Sequence, residues 1–167
     1  MMRRTGWVVL VVGLVVGTAV ALGLGTWQMT EKNRPAPTLV ADQTAARDEV
    51  VELTTANLEK LLSYTPRTDD DDVDNLAALL TGEAVDNYRE QMRSKTAIAR
   101  SNGVTQTSNV RNAAIETLSA DKAQVLTFVD QIVESTGNKT RTEAQLAIRV
   151  ELAQINGAWL ITAINTL

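Results

Sequence analysis

A chain of 167 residues with 16 basic and 20 acidic side chains and 44% hydrophobic residues is sized for one domain plus short appendages. It contains no cysteine and no histidine, which excludes disulfides, thiolate metal sites and lipid attachment through cysteine, and removes the commonest general base. Residues 28–167 hold 14 of the basic and all 20 acidic side chains, a net charge of −6, with no basic stripe interleaved with aromatics, which excludes a nucleic-acid partner.

In chain order, residues 1–6 are a short N-terminus containing Arg3 and Arg4. Residues 7–27 carry no charge and are mostly Val, Leu, Gly and Ala; at about 1.5 Å per residue such a helix spans the roughly 30 Å hydrocarbon core of a bilayer. Trp7 and Trp27 stand at its ends, where indoles favour the headgroups. A transmembrane helix is predicted over 7–27. Arg3 and Arg4 precede it while Glu31, Lys32 and Arg34 follow, so the N-terminus is expected in the cytoplasm and the remainder outside. The other reading is a cleaved signal peptide, with Ala19-Val20-Ala21 as the small-x-small site. The apolar run continues past that site through Leu22 and Gly25, and both readings place the domain on the same side. Gly13, Gly17, Ala21 and Gly25 recur every fourth residue, a face on which a second membrane helix could pack closely. Ordinary use of Gly and Ala in membrane helices also accounts for it.

Residues 28–38, with Pro35 and Pro37, read as a stalk, and 39–167 as the folded extracytoplasmic domain. A helix is predicted over 39–64, with Val50, Leu53, Leu58, Leu61 and Leu62 on one stripe and Pro66 ending it. Asp69, Asp70, Asp71 and Asp72 precede Val73, Leu76, Ala77 and Leu80 at helical spacing and suit the positive end of a second helix. Gly82 breaks the chain, and a third helix over 83–99 turns Val85, Tyr88 and Met92 inward. The pattern changes after Asn102-Gly103. Residues 104–118 are rich in Val, Thr and Ile, and 119–122 form a turn. Residues 123–135 alternate, with Val125, Thr127, Val129, Gln131 and Val133 on one side and Leu126, Phe128, Asp130 and Ile132 on the other. After a second turn, 140–154 set Ala144, Leu146, Ile148, Val150 and Leu152 against Arg141, Glu143, Gln145, Arg149 and Glu151. A period of two with one wet face marks an antiparallel strand, and Asn156-Gly157 marks the hairpin into a last strand over 158–165. The expected fold is α+β: three helices covering a four-stranded antiparallel sheet.

The apolar N-terminal segment, Leu61-Leu62-Ser63-Tyr64, the Asp69 to Asp72 run, Thr81-Gly82 followed by Tyr88, and Asn156-Gly157-Ala158-Trp159-Leu160-Ile161 occur in this order. Taken together they resemble the Mce-associated membrane proteins, accessory proteins of the mammalian-cell-entry transport systems. That family usually places an aromatic between the glycine and the tyrosine, where Val85 stands here. The resemblance implies a cone similar to nuclear transport factor 2 and to cystatins. It also implies work beside multiprotein envelope complexes that import lipids or sterols. Assembly factors of type IV secretion and conjugation machines share the plan of one anchor and one cone.

Candidate chemistry is sparse. Asp69 to Asp72 with Asp74 lack the alternating ligands and glycine turn of a calcium loop, so capping and solvation account for them. Asp130 shares a face with Leu126, Phe128 and Ile132; inside an open cone its pKa would rise and it could act as a base. No histidine or second acid accompanies it, so no catalytic residue, metal site or cofactor is expected. Trp159 reads as core. Asn138-Lys139-Thr140 matches a glycosylation sequon. Arg141, Glu143, Arg149 and Glu151 mix signs on one strand face; cross-strand ion pairs explain them, and a partner-binding sheet face is the functional reading. The expected function is a membrane-anchored scaffold of an Mce-type lipid-transport complex, with the membrane and the other proteins of that complex as partners. The alternatives are an assembly component of a secretion or conjugation channel, or a carrier holding a lipid in an apolar cavity of the cone.

Overall fold

The computed structural model describes residues 43–137 and 139–167. The predicted membrane helix 7–27 with Gly13, Gly17, Ala21 and Gly25, the stalk 28–38 and Asn138 of the sequon lie outside the described residues. Among the described residues, no helix is long and apolar enough to cross a bilayer.

Three helices come first: α1 (Thr44–Leu62), α2 (Asp70–Ala77) and α3 (Glu83–Asn102). Four strands follow, β1 (Val104–Leu118), β2 (Lys122–Ser135), β3 (Thr140–Ile155) and β4 (Ala158–Thr166), in one antiparallel sheet of order β1-β2-β3-β4. Such a meander needs only tight turns, and the sequence supplies them. Asn156 and Gly157 both have positive φ, 53° and 84°, the pairing a two-residue hairpin with the strands' own twist requires.

The buried stripe of α1 is Val50, Thr54, Leu58 and Leu61. Thr54, absent from the predicted stripe, is fully buried in it, while the predicted Leu53 and Leu62 pack half-buried against the core. Its hydroxyl donates to Val50 O at 2.6 Å, so burial leaves no polar group unmatched. The helix ends at Leu62, before Pro66, because Ser63 turns extended and Tyr64 pairs with Gln106 of β1. In α2, Asp69 and Asp72 form a capping box: the Asp72 N–H donates to Asp69 Oδ1 at 2.9 Å and the Asp69 N–H to Asp72 Oδ2 at 3.2 Å. Asp69→Ala should therefore lower stability by about 1 kcal/mol, read as a shift in the urea midpoint, while Asp70→Ala, outside the box, should cost less.

The core lies between the helices and one sheet face. Leu58, Leu61, Val125, Val129, Ile148, Val150, Leu152, Trp159 and Ile161 meet there, with Leu80 from the α2–α3 connection. Trp159, expected in the core, is in it. Both sheet edges are closed by the helical half of the chain. At β1, the Tyr64–Gln106 backbone pair (3.0 and 2.9 Å) is joined by Glu59, whose Oε1 accepts from the Val110 N–H at 2.8 Å. At β4, Thr81 N–H donates to Ile161 O at 2.9 Å and Ile161 N–H to Leu79 O at 3.0 Å. Edge N–H and C=O groups that would otherwise recruit a foreign strand are thus occupied along these stretches.

Candidate functional site

The face of the sheet turned away from the helices carries the predicted partner-binding residues. Along β2 it presents Leu126, Phe128, Asp130 and Ile132. Phe128 stands between Asn112 of β1 and Ala147 of β3, neither large enough to cover it, and is 49% exposed. Leu126 and Ile132, both half-buried, flank it two and four residues away on the same face, so a strip that is apolar except for the paired Asp130 runs along the middle of a polar surface.

Charges border this strip. Arg149 of β3 reaches across β2 to Glu116 of β1 with two bonds, Nε to Oε2 at 2.6 Å and Nη2 to Oε1 at 3.1 Å. The Arg149 guanidinium holds the Glu116 carboxyl below the usual carboxylate range, and the same bond raises the pKa of Arg149. At the other end, Arg141 donates to Glu134 Oε1 at 2.6 Å and to Glu143 Oε1 at 2.8 and 3.0 Å, which raises its own pKa. Arg111 pairs with Asp130 at 2.5 Å. Glu151 accepts from the Asn165 amide at 3.4 Å and adds its charge to the field around Arg149. The four predicted residues lie on one face of β3; Arg141 and Glu143 pair with each other near one end, and Arg149 pairs with Glu116 farther along the strand.

Asp130 requires a correction. It lies on the outer face, with its carboxylate against Arg111, and not inside the cone; the inner face of β2 is the Ala123, Val125, Thr127 and Val129 side. The apolar residues beside it form the outer strip, with Phe128 exposed and Leu126 and Ile132 half-buried. Arg111 and Glu116 went unrecognised because each is the extra residue of a β-bulge, at the register shifts Val110/Asn112 and Ile115/Thr117. The signal was present: the inward residues Val110, Ala113, Ile115 and Leu118 step by three, two and three, where a regular strand steps by two.

On the inner side, a cavity of about 380 Å³ opens between α3 and the ends of the strands. Tyr88 and Lys95 of α3, Gln131 of β2, Leu146 and Ile148 of β3 and Ile164 of β4 line it. The Tyr88 hydroxyl is buried with no hydrogen-bond partner among the described residues, and burial pushes its pKa up to about 12, so it stays neutral at physiological pH.

Three helices on a four-stranded antiparallel meander define an α+β class shared with solved proteins. An IcmL-like type IV secretion system protein of Legionella pneumophila superposes with a TM-score of 0.62 at 8% identity, over 72% of this chain and 91% of that one. CagV, a VirB8 homolog of the Helicobacter pylori type IV secretion system, gives 0.56 at 11% identity, over 70% and 95%. At these identities the likeness is one of fold. No protein-family model matches the chain. Sequence relatives are nearer. Outer membrane protein Rv1973 of Mycobacterium tuberculosis is 36% identical over 160 residues, 92% of this chain and 94% of its own length. An uncharacterized protein of the same organism, Rv1362c, is 31% identical over 150 residues, covering 89% and 67%. The chain belongs to the family of Outer membrane protein Rv1973.

Proposed function

We propose that this protein is a membrane-anchored assembly component of a multiprotein envelope machine, acting through protein contacts made by the outer face of its sheet. The observation that carries the reading is Phe128 in the middle of that face: a large ring, half exposed, on a strip rimmed by paired charges. Desolvated aromatic anchors inside a polar rim are how protein interfaces concentrate their binding energy. The paired rim is prearranged, so a partner meets a fixed pattern of charge and gains specificity from it.

The choice of machine follows from two kinds of likeness. The fold shared with the IcmL-like protein and CagV supports a component of a secretion-type channel. The sequence resemblance to Mce-associated proteins, together with a relative whose name places it in the outer membrane, supports an accessory role in a lipid-import complex. In either machine the helix over 7–27 serves as the anchor, with its N-terminus in the cytoplasm and the α+β domain outside.

Crosslinking in intact membranes separates these. Capture of channel subunits or secretion ATPases places the protein in the first machine, and capture of transporter permeases in the second. Phe128→Glu puts a charge into the apolar strip without touching the core. It should reduce recovery of the specific partner about thirtyfold, the loss of one anchor worth about 2 kcal/mol. Unchanged capture by this variant, with its circular dichroism intact, would remove the outer face from the account.

A further inference from the structure

β3 outruns the strand beside it. It pairs with β2 from Thr140 to Ala153, whereas β4 accompanies it only from Ala147 onward, where the Leu167 N–H donates to Ala147 O at 2.9 Å. Residues 140–146 therefore form a notch in the edge of the sheet. In an antiparallel strand the N–H and C=O of one residue point to the same side, and the sides alternate. Ala147 faces β4, while the Gln154 N–H faces the other way, donating to Asp121 O at 2.8 Å. By that alternation the backbone groups of Arg141, Glu143 and Gln145 point into the notch, where no strand among the described residues pairs with them. Thr140 to Gln145 are all exposed. The notch has its own charge pattern. Arg141 donates to Oε1 of Glu134 and Oε1 of Glu143, which leaves Oε2 of both carboxylates without a bond among the described residues. With Lys139 in the adjoining turn, the patch holds two bases and two acids and has no net charge.

We propose that a second copy of this chain binds in the notch, β3 antiparallel to β3, about a two-fold axis through Thr142. Charge selects both the occupant and the register. Centred on Thr142, the pairing sets Arg141 opposite Glu143 of the second copy and Glu143 opposite its Arg141, two cross-strand pairs of opposite sign. A shift by one residue in each copy centres the axis on Glu143 or on Arg141 and stacks like charges on each other. Charged side chains on an open edge ordinarily repel foreign strands, but alternation of sign at i and i+2 makes this strand its own complement. The backbone agrees with the charges. Arg141 and Glu143 are the residues whose N–H and C=O point outward, so each exchanges both bonds with its counterpart. Thr142 then meets Thr142 as a closely spaced non-hydrogen-bonded pair. The pairing uses residues 140–144 of each copy and leaves Gln145 and Leu146 between it and the end of β4. An isologous contact of this kind closes after two copies, and the sheet runs unbroken across the dimer.

The chain has no cysteine, so single cysteines report the pairing without background. In the full chain, oxidised in isolated membranes with copper phenanthroline, Thr142→Cys should give a disulfide-linked dimer, because the two Cα atoms of such a pair stand about 4.5 Å apart. Ala144→Cys alone should not, since its counterpart lies about 14 Å away, four residues along the strand. Ala144→Cys coexpressed with Thr140→Cys, its opposite residue, should crosslink. In the Thr142→Cys background, Glu143→Arg or Arg141→Glu alone should lower the dimer yield about tenfold, and coexpression of the two should restore it as a heterodimer. All these positions are exposed, and circular dichroism of the variants should match the parent. No dimer from Thr142→Cys, equal yields from Thr142→Cys and Ala144→Cys alone, or an unchanged yield in Glu143→Arg would each overturn the proposal. Phe128→Glu leaves the notch untouched, so loss of partner capture and loss of the dimer are read separately.

Discussion

Leu58→Ala should lower the stability of the folded domain by about 4 kcal/mol and its thermal midpoint by about 10 °C or more. Leu58 has no exposed surface and sits in the core cluster with Val125, Val129 and Ile148. Truncation removes its transfer free energy and leaves a cavity, because a helix bonded to the sheet one turn away cannot freely collapse inward. The restraint is visible at the C-terminal end of α1, where Leu62 O accepts from Gln106 Nε2 at 2.6 Å and from Ser108 Oγ at 3.1 Å. Ile98→Ala is the matched control: a large residue on α3, 54% exposed, whose truncation should cost under about 0.5 kcal/mol. Thermal unfolding by far-UV circular dichroism distinguishes the two. Similar losses for both would mean that α1 does not cover the sheet as described.

Gly103→Ala should cost about 3 kcal/mol, by a different cause. Gly103 ends α3 in the left-handed region, φ 63° and ψ 40°, with its N–H donating to Ala99 O. A Cβ there brings about 1–2 kcal/mol of backbone strain. It would also collide with Thr136 Oγ1, which is held in place by its bond to Gly103 O at 3.2 Å. This is where the chain passes from the helical half to the sheet, and the β2–β3 turn packs onto it: Thr136 N–H donates to Gly103 O at 3.1 Å and Ser135 Oγ to Asn102 O at 3.0 Å. Thr136→Ala in the Gly103→Ala background removes the collision and leaves the backbone strain, so the double variant should regain about 1–2 kcal/mol over the single. Chemical denaturation of the four proteins in this cycle measures the coupling; strict additivity would show that the close approach is absent.

Much of the fold was legible because local chemistry and tertiary demand agree. The alternation in 140–154 is that of β3, whose wet face is exposed and whose Ile148, Val150 and Leu152 are buried. The aspartate run became the α2 cap, and Gly82, at φ 62°, marks the start of α3. Element ends moved where a partner intervened. α1 stops short of Pro66 because Tyr64 is claimed by β1, and α3 runs three residues past Ala99 because its cap is Gly103.

The candidate site was legible by composition and not by arrangement. Arg141, Glu143, Arg149 and Glu151 were found as one wet strand face, but Arg141 and Glu143 pair with each other, the further partners Glu134 and Glu116 lie on β2 and β1, and a β1 bulge brings Glu116 into reach of Arg149. Asp130 shows the limit most plainly: alternation put it with Leu126, Phe128 and Ile132 but carried no information about which side of the strand the helices would cover.

Periodicity, caps and turn residues are properties of neighbours along the chain, fixed by backbone geometry within a few residues, and they alone determined the order of three helices and four antiparallel strands. The tertiary structure decided what depends on residues distant in sequence. The helices cover the Val125 face of β2 and leave Phe128 outside, both sheet edges are closed by the chain flanking α1 and α2, and Tyr88 and Lys95 meet Leu146 and Ile164 around one cavity. Contacts of that kind form only when the apolar stripe of each helix and the apolar face of the sheet are buried against each other, a condition the whole domain must satisfy at once.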